Sequence, residues 1–477
     1  MKTVSAIKSI SIVLLVMLAF LQFSIIISDN FTGFSNLFGG KSKPLAPRVP
    51  FSYDYISLES IRISDGKNNF WDMPRRTDEY YQLQLIATEV LKQIPVSELI
   101  LIHPKTWEKL LTDKYIMFQY FCTIPLSFVS PGAVNYEESI EIDKIRQLLV
   151  RPTSAGVDFY IFDGSSYFQL KYDASKDFLI NSIDYDGIFN FIQYTDLFDE
   201  NTYKLLGFEE SAYQINGEND VKLFAGLPLR YQLAISVTPT VISDIMSLED
   251  TYELGEIKSR LLGAMQDRFM ASISANHTVF FSNTENQYAL SHDGRISYDY
   301  FGKQSSAEKG SVDMAYGKAL TMLERVLGLM DEKSSATLVL TDIDYSNPRY
   351  YIFSFDYLVE GKLVYIYDNP SSETMEHAFV IQAGQDRVLK MNGILRAIFT
   401  DKETYGYYEN NTVQLITDMG LHLEDHYIKN IYNGYILNAW SGSSTLMAGM
   451  LIEMEKGLKG IPLPLSFLNF AKRNEVP

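Results

Sequence analysis

The sequence predicts an α+β protein: an N-terminal transmembrane helix followed by extracytoplasmic domains of antiparallel sheets with packed helices. Three features point to this class. Ser9 to Ser28 is a run of twenty residues without a charge, long enough at 1.5 Å per residue to cross a hydrocarbon core of about 30 Å. Thr278 to Ser282, Gln287 to Ser291 and Arg295 to Tyr300 alternate apolar and polar residues, the period of half-buried strands. Val312 to Met330 instead repeats at helical spacing, with Ala315, Ala319, Leu323, Val326 and Leu327 along one stripe.

Lys2 and Lys8 precede the apolar run and Asp29 follows it. The positive-inside bias then leaves the N-terminus in the cytoplasm and the bulk of the chain outside a cell membrane, as a single-pass anchor. A cleaved secretory signal has a similar charged start, but this run is long for one and no small-x-small site follows. Residues 29–50 are rich in Gly, Ser and Pro and read as a linker. Residues 51–150 read as an α+β N-terminal ectodomain. Its helix runs from Arg75 to Ile94, with Tyr81, Leu85, Thr88 and Leu91 on one face, and stops at Pro95. A strand over Glu98–Ile102 and a short helix over Thr106–Thr112 follow, then a mixed region over 115–150.

Residues 151–240 form a strand-rich middle domain, where Val157–Phe162 and Tyr167–Tyr172 flank the turn signal Asp163-Gly-Ser-Ser166. Residues 241–477 are the C-terminal α+β domain. It begins with a helix over Ile242–Ser274 and the three alternating strands, the second turn being His292-Asp293-Gly294. After the helix Val312–Met330 come strands over Ala336–Thr341, Tyr350–Tyr357, Lys362–Tyr367, His377–Gln382 and Val388–Phe399. A helix over Asn411–Met419 and strands over Ile428–Leu437 and Thr445–Glu453 complete it. Strands joined by short turns pair antiparallel.

Composition narrows the function. With 41 Lys+Arg against 59 Asp+Glu, the chain carries −18. Removing Lys2 and Lys8 leaves 39 basic residues against 59 acidic ones after residue 28, a charge of −20. Such acidity disfavours nucleic acid, whose phosphates need basic neutralisation, and anionic lipid surfaces. The lone Cys122 excludes an internal disulfide, a Cys-rich zinc site and CxxC chemistry. An outward-facing chain without disulfides suits a Gram-positive cell envelope.

Sites for chemistry are sparse. His422 and His426 stand four apart in His-Leu-Glu-Asp-His, a weak metal candidate, because a zincin places Glu directly after the first His and Leu423 occupies that place. Asp342-Ile-Asp344 begins like a calcium loop, but Pro348 interrupts it and no Glu closes it. Asp184-Tyr-Asp186-Gly187 reads as a turn. Ser306-Ala-Glu-Lys309 has SxxK spacing without the SDN-like and KTG-like elements that chemistry needs. Trp440-Ser-Gly-Ser-Ser444 is no GxSxG elbow, and Cys122 lies in an aromatic run as a buried apolar thiol. No catalytic residue and no cofactor is expected.

The order of parts resembles the YycH/YycI family of Firmicutes, as a divergent member. The likeness covers about residues 280–455. It rests on the strand pair around Leu290-Ser-His-Asp-Gly-Arg-Ile-Ser-Tyr298 and the helix after it. The meander Arg349–Tyr357 with Glu360-Gly-Lys-Leu-Val364, and the ending Ile428–Tyr435, add to it. Ala448-Gly449-Met450 replaces the family's Pro-x-Trp. The resemblance implies a non-enzymatic, membrane-anchored regulator of the WalK (YycG) sensor histidine kinase, a protein of two-component signalling. It also implies contact with the kinase's transmembrane region and with a sister subunit. Ala19, Gln22 and Ser24 are the candidates for contact within the membrane. The alternative expectation is an extracytoplasmic binding module for peptide, glycan or wall fragment using an aromatic cleft. A wall-modifying enzyme is the third.

Overall fold

The structure is a computed structural model. It describes residues 55–66, 69–73, 78–94, 98–129, 142–154, 156–171, 185, 202–206, 223–227, 229–232, 235–239, 251–302, 309–330, 334, 336–359, 361–367, 376–400, 404–408, 428–438, 446–454, 457–462 and 469–472. All belong to one compact unit, Ser52–Pro477. The apolar run 9–28, the linker, the helix expected over Asn411–Met419 and the segments 184 and 186–187 lie outside them. Among the described residues no helix is long and apolar enough to cross a membrane.

The first sheet is built from β1 (Leu58–Asp65), β2 (Asn69–Asp72), β3 (Glu98–Ile102), β4 (Lys114–Pro125), β5 (Lys144–Thr153), β6 (Gly156–Phe162), β7 (Tyr167–Lys171), β8 (Thr202–Leu206) and β9 (Leu223–Leu227). Their order is β3-β7-β6-β5-β4-β1-β2-β8-β9, with every neighbouring pair antiparallel. β3 matches the strand expected from sequence, and the β6–β7 hairpin turns as expected at Asp163. There Asp163 Oδ1 accepts from the amides of Ser165 and Ser166, each at 2.7 Å. Gly164, at φ +102°, completes the turn, and a Cβ there would run into the Thr123 side chain of β4.

Two helices cover this region, with a single further turn, α3 (Leu126–Val129), after β4. α1 (Asp78–Gln93) agrees with the expected helix, but the buried face differs. Tyr80, Leu83, Ala87, Val90 and Ile94 recur at spacings of three and four and are buried, flanked by Ile86 and Leu91. Of the expected face only Leu91 is in the core; Tyr81 and Leu85 are 52% and 62% exposed. The other stripe prevails because it carries more apolar residues. α2 (Pro104–Leu110) begins on an N-cap at His103, whose Nδ1 accepts from the Lys105 amide at 3.2 Å, with Pro104 in the first turn. It drives Trp107 and Leu110 into a cluster with Tyr115, Met117, Leu149 and Tyr160.

A second sheet of twelve described strands occupies the rest of the chain. β10 (Leu229–Gln232) and β11 (Ile235–Pro239) precede it. The helix expected over Ile242–Ser274 stops early: α4 (Thr251–Leu262) ends at Gly263, whose φ is +52°, and residues 242–250 lie outside the described ones. A 3-10 turn follows, and Phe269 is extended, so β12 (Met270–Ile273) takes the place of the helix's end. β13 (Val279–Ser282), β14 (Asn286–Leu290) and β15 (Arg295–Tyr300) are the alternating strands, with apolar positions turned inward as expected. α5 (Val312–Leu327) is capped by Ser311 Oγ, which accepts from the Met314 amide at 3.3 Å. Its stripe from Ala315 to Val326 is buried.

Then come β16 (Thr337–Asp344), β17 (Tyr351–Val359), β18 (Lys362–Tyr367), β19 (Phe379–Ala383), β20 (Val388–Ile394), β21 (Arg396–Thr400), β22 (Thr404–Tyr408), β23 (Ile428–Asn438), β24 (Met447–Met454), β25 (Gly457–Pro462) and β26 (Asn469–Lys472). The sheet order is β12-β13-β14-β15-β20-β19-β17-β18-β23-β24-β25, with β16 on β17. β18 and β23 pair in parallel, from Leu363↔Gly434 to Tyr367↔Asn438. These strands are distant in the chain, so the short-turn rule that gives antiparallel neighbours does not reach them. Smaller pairings join β11 to β21 and β22 to both β10 and β26.

The strand expected over Val388–Phe399 breaks at Leu395. Its amide donates to Gly294 O at 2.8 Å, and the next amide, of Arg396, goes to the Tyr357 hydroxyl at 3.0 Å. With both donors withdrawn from the ladder, the chain leaves the large sheet and pairs with β11. Gly294 has φ +80° and lies so close to Arg396 and Leu395 that no side chain fits.

Candidate functional site

The residues singled out for contact or metal binding, Ala19, Gln22, Ser24, His422 and His426, lie outside the described residues. Among the described ones, no group of three or more His, Cys, Asp or Glu is arranged to hold a metal ion.

The chemistry-bearing residues that are described gather where the two sheets meet. β4 lies against β16. Phe121 packs on Val339, Leu363, Tyr365 and Ile436. Cys122 is buried with Sγ 3.9 Å from Leu340 O. Burial pushes its thiol up to about 12, and the opposed effects of Arg146 and Asp342 leave it there. A thiol so held stays protonated and unreactive at neutral pH. The Lys144 ammonium stands 4.0 Å from the centre of the Tyr345 ring. Beyond β4, Phe128 of α3 stacks on Tyr316 of α5 at 4.5 Å and 29°.

Lys309, the lysine of the SxxK spacing, donates to Tyr345 O at 2.7 Å and Asn347 O at 2.6 Å, over the Tyr351 ring. Its described partners are these two backbone carbonyls; Ser306 lies outside the described residues. Its ammonium also supplies positive charge to the Asp342–Asn347 segment. The carboxylate of Asp344 caps the turn, accepting from the Ser346 amide at 2.7 Å, and hydrogen bonding from the Ser346 side chain and then from this amide lowers its pKa. Asn347 Oδ1 accepts from the Arg349 amide at 2.9 Å. Both side chains serve backbone geometry.

Asp356 and His377 went unnoticed in the sequence. Asp356 sits inside the apolar strand β17, its side chain 1% exposed. Its Oδ2 is 2.7 Å from His377 Nδ1 and accepts from Thr341 Oγ1; its Oδ1 accepts from the Ala378 amide at 2.9 Å. Burial opposes the charge on His377, but the charge and hydrogen bond of Asp356, with Asp342 behind them, prevail and raise its pKa to about 9. Burial likewise raises the pKa of Asp342, partly offset by His377, although Asp342 still reaches solvent at the bulge in β16. A hydrolytic triad needs its hydroxyl on the imidazole nitrogen away from the aspartate. Here Thr341 and His377 converge on one carboxylate, and the imidazole is already protonated at neutral pH. The arrangement is an ion pair with a hydrogen-bonded buried acid, suited to holding strands together. An acid between Phe355 and Tyr357 in a strand of continuous apolar character was the available signal, since a buried carboxylate requires partners.

No protein-family model matches the chain, and no curated protein matches it. Among solved structures the chain is similar to the crystal structure of YycH from Bacillus subtilis, with a TM-score of 0.52 and 11% identity, covering 86% of this chain and 96% of that one. An uncharacterized protein from Eubacterium rectale aligns over 51% of this chain and 82% of that one at 12% identity, but its TM-score of 0.25 carries no argument. The likeness to YycH, spanning nearly all of that chain at so low an identity, is one of fold: the chain has a YycH-like fold.

Proposed function

We propose that the chain is a non-enzymatic, membrane-anchored regulator of a two-component sensor histidine kinase of the WalK kind. Its extracytoplasmic part is the YycH-like fold, and it acts through protein contacts in the membrane and outside it. The observation that carries this reading is the likeness of fold to YycH over 96% of that chain. The resemblance of residues 280–455 to the YycH/YycI family and the uncharged run 9–28 with its preceding lysines support it. In this reading the run 9–28 lies beside the kinase's own spans, with Ala19, Gln22 and Ser24 offering small and polar contacts. A sister subunit of the same family pairs with the outer domain.

The test is co-isolation of the kinase from membranes with the full chain and with a variant whose residues 9–28 are replaced by an unrelated apolar span. The proposal expects the kinase with the first and a large loss with the second. Equal recovery with both would exclude the membrane contact. Absence of the kinase from both, with a peptide, glycan or wall fragment recovered instead, would favour an envelope binding module.

A further inference from the structure

β17 forks. Along one edge its first half, Tyr351–Phe355, pairs with β19, and its last three residues, Tyr357–Val359, pair with β18. Asp356 is the residue between the two registers, at the point where the edge changes partner. Its carboxylate collects three donors from two segments: Thr341 of β16, and His377 and Ala378 at the entry of β19. The same entry is tied to β18 by the Glu376 amide on Ile366 O at 2.9 Å, and to β20 by the Ile394 amide on Ala378 O at 2.8 Å. β18 in turn carries β23 through the parallel pair.

We propose that His377 is a proton-controlled clasp at this fork: charged, it fastens the entry of β19 to β16 and β17, and loss of its proton loosens that entry while the rest of the sheet stays paired. The geometry sets the route. Nδ1–H faces Asp356, and the side chain is 38% exposed, so the proton leaves from Nε2 to solvent. Nδ1–H remains a donor, but a neutral one, and such a bond is roughly half as strong as a charge-assisted one. Asp356, almost fully buried, loses its counter-charge at the same moment, the costly condition for a buried acid.

The charged groups around His377 act in one direction. Asp356 faces it from β17 and Asp342 from β16, and both favour the protonated form; Glu376 adjoins it in the chain. Arg146 of β5, paired with Glu59 at 3.5 Å, and Asp344 act on Asp342, which also faces Cys122. The folded-state pKa of about 9 lies above the ordinary 6.5. The clasp is therefore closed below about 6.5 and opens as pH rises through about 9. It stands independently of the kinase reading.

The experiment is amide hydrogen exchange of the full chain in detergent, between pH 6.5 and 9.5 and corrected for intrinsic rates. Peptides spanning 376–383 are compared with peptides spanning 388–394 of β20. The expected result is a loss of protection in 376–383 about tenfold greater than in β20 over that range, the factor for one unit of the shift after solvent screening. His377→Gln abolishes the extra pH dependence. A wild-type profile identical to that of His377→Gln would overturn the proposal. Histidine resonances supply a second readout independent of any variant: one imidazole titrating near 9 supports the clasp, and all six titrating near 6.5 refute it.

Discussion

Replacing Phe128 by Ala tests how the two sheets are held together. Phe128 and Tyr316 are both fully buried and stacked at 4.5 Å, and Tyr316 also lies 5.4 Å from Phe353 and 6.4 Å from Phe355. Deleting the ring removes the one aromatic partner that α3 offers to this group and leaves a void beside Tyr316, the ring of α5 that itself packs on Phe353 and Phe355 of β17. Phe→Ala at such sites costs about 3–5 kcal/mol, of which the ring-on-ring geometry accounts for about 0.5–1.5. Phe128→Leu keeps most of the volume and costs about 1.5 kcal/mol. Against a total of about 5–15 kcal/mol the Ala variant loses a large share of its stability. Urea unfolding of the full chain in detergent, followed by near-UV circular dichroism of the aromatic core and by far-UV signal, reads both variants. Ala and Leu variants differing by less than about 1 kcal/mol would refute the packing argument, because the cavity then costs nothing.

Gly393 in β20 faces Phe379 of β19, and a Cβ there would collide with the Phe379 ring. Gly393→Ala is expected to cost about 1–3 kcal/mol by overpacking, visible as a lowered thermal midpoint. Tyr81 and Leu85 face solvent on α1, so the double replacement by Ser changes stability by less than about 0.5 kcal/mol per site, whereas Leu83→Ala costs about 2–5 in the same urea titration. Cys122 should resist iodoacetamide at pH 8 in the native chain and react after denaturation. That inertness makes an introduced Glu108→Cys on the exposed face of α2 a specific probe, which a membrane-impermeant maleimide labels in intact cells if the chain faces outward.

Elements whose pattern and burial agree were legible in the sequence. β13 to β15 alternate because one face is packed and one wet, and their turns carry Asn283 and Asp293-Gly294 where the backbone needs them. β4 was not delimited, since Tyr115 to Tyr120 are buried on both faces and leave no period of two to read. α1 has two apolar stripes, and the one through Leu83 is buried because it carries more apolar residues than the one through Leu85, a difference the sequence already holds. The breaks at Gly263 and Leu395 depend on a local φ and on hydrogen bonds to Gly294 O and the Tyr357 hydroxyl, acceptors remote in the chain. The same holds for the Asp356–His377 pair, whose members are 21 residues apart with no spacing motif to join them. The lone Cys122 reads from its aromatic surroundings as a buried, inert thiol, and burial against β16 is the physical cause. The family resemblance rests on the strand pair, the helix after it and the aromatic meander, and the likeness to YycH bears it out at the level of fold.

The claim at the centre is that this chain meets a sensor kinase within the membrane. Photo-crosslinking in living cells tests it most directly, with a photoreactive amino acid placed in turn at Ala19, Gln22 and Ser24 of the full chain. The account predicts a covalent adduct with a histidine kinase from at least one of these positions and none from a position on the opposite face of the run. Efficient incorporation with adducts to lipid or unrelated proteins alone, from all three positions, would contradict it.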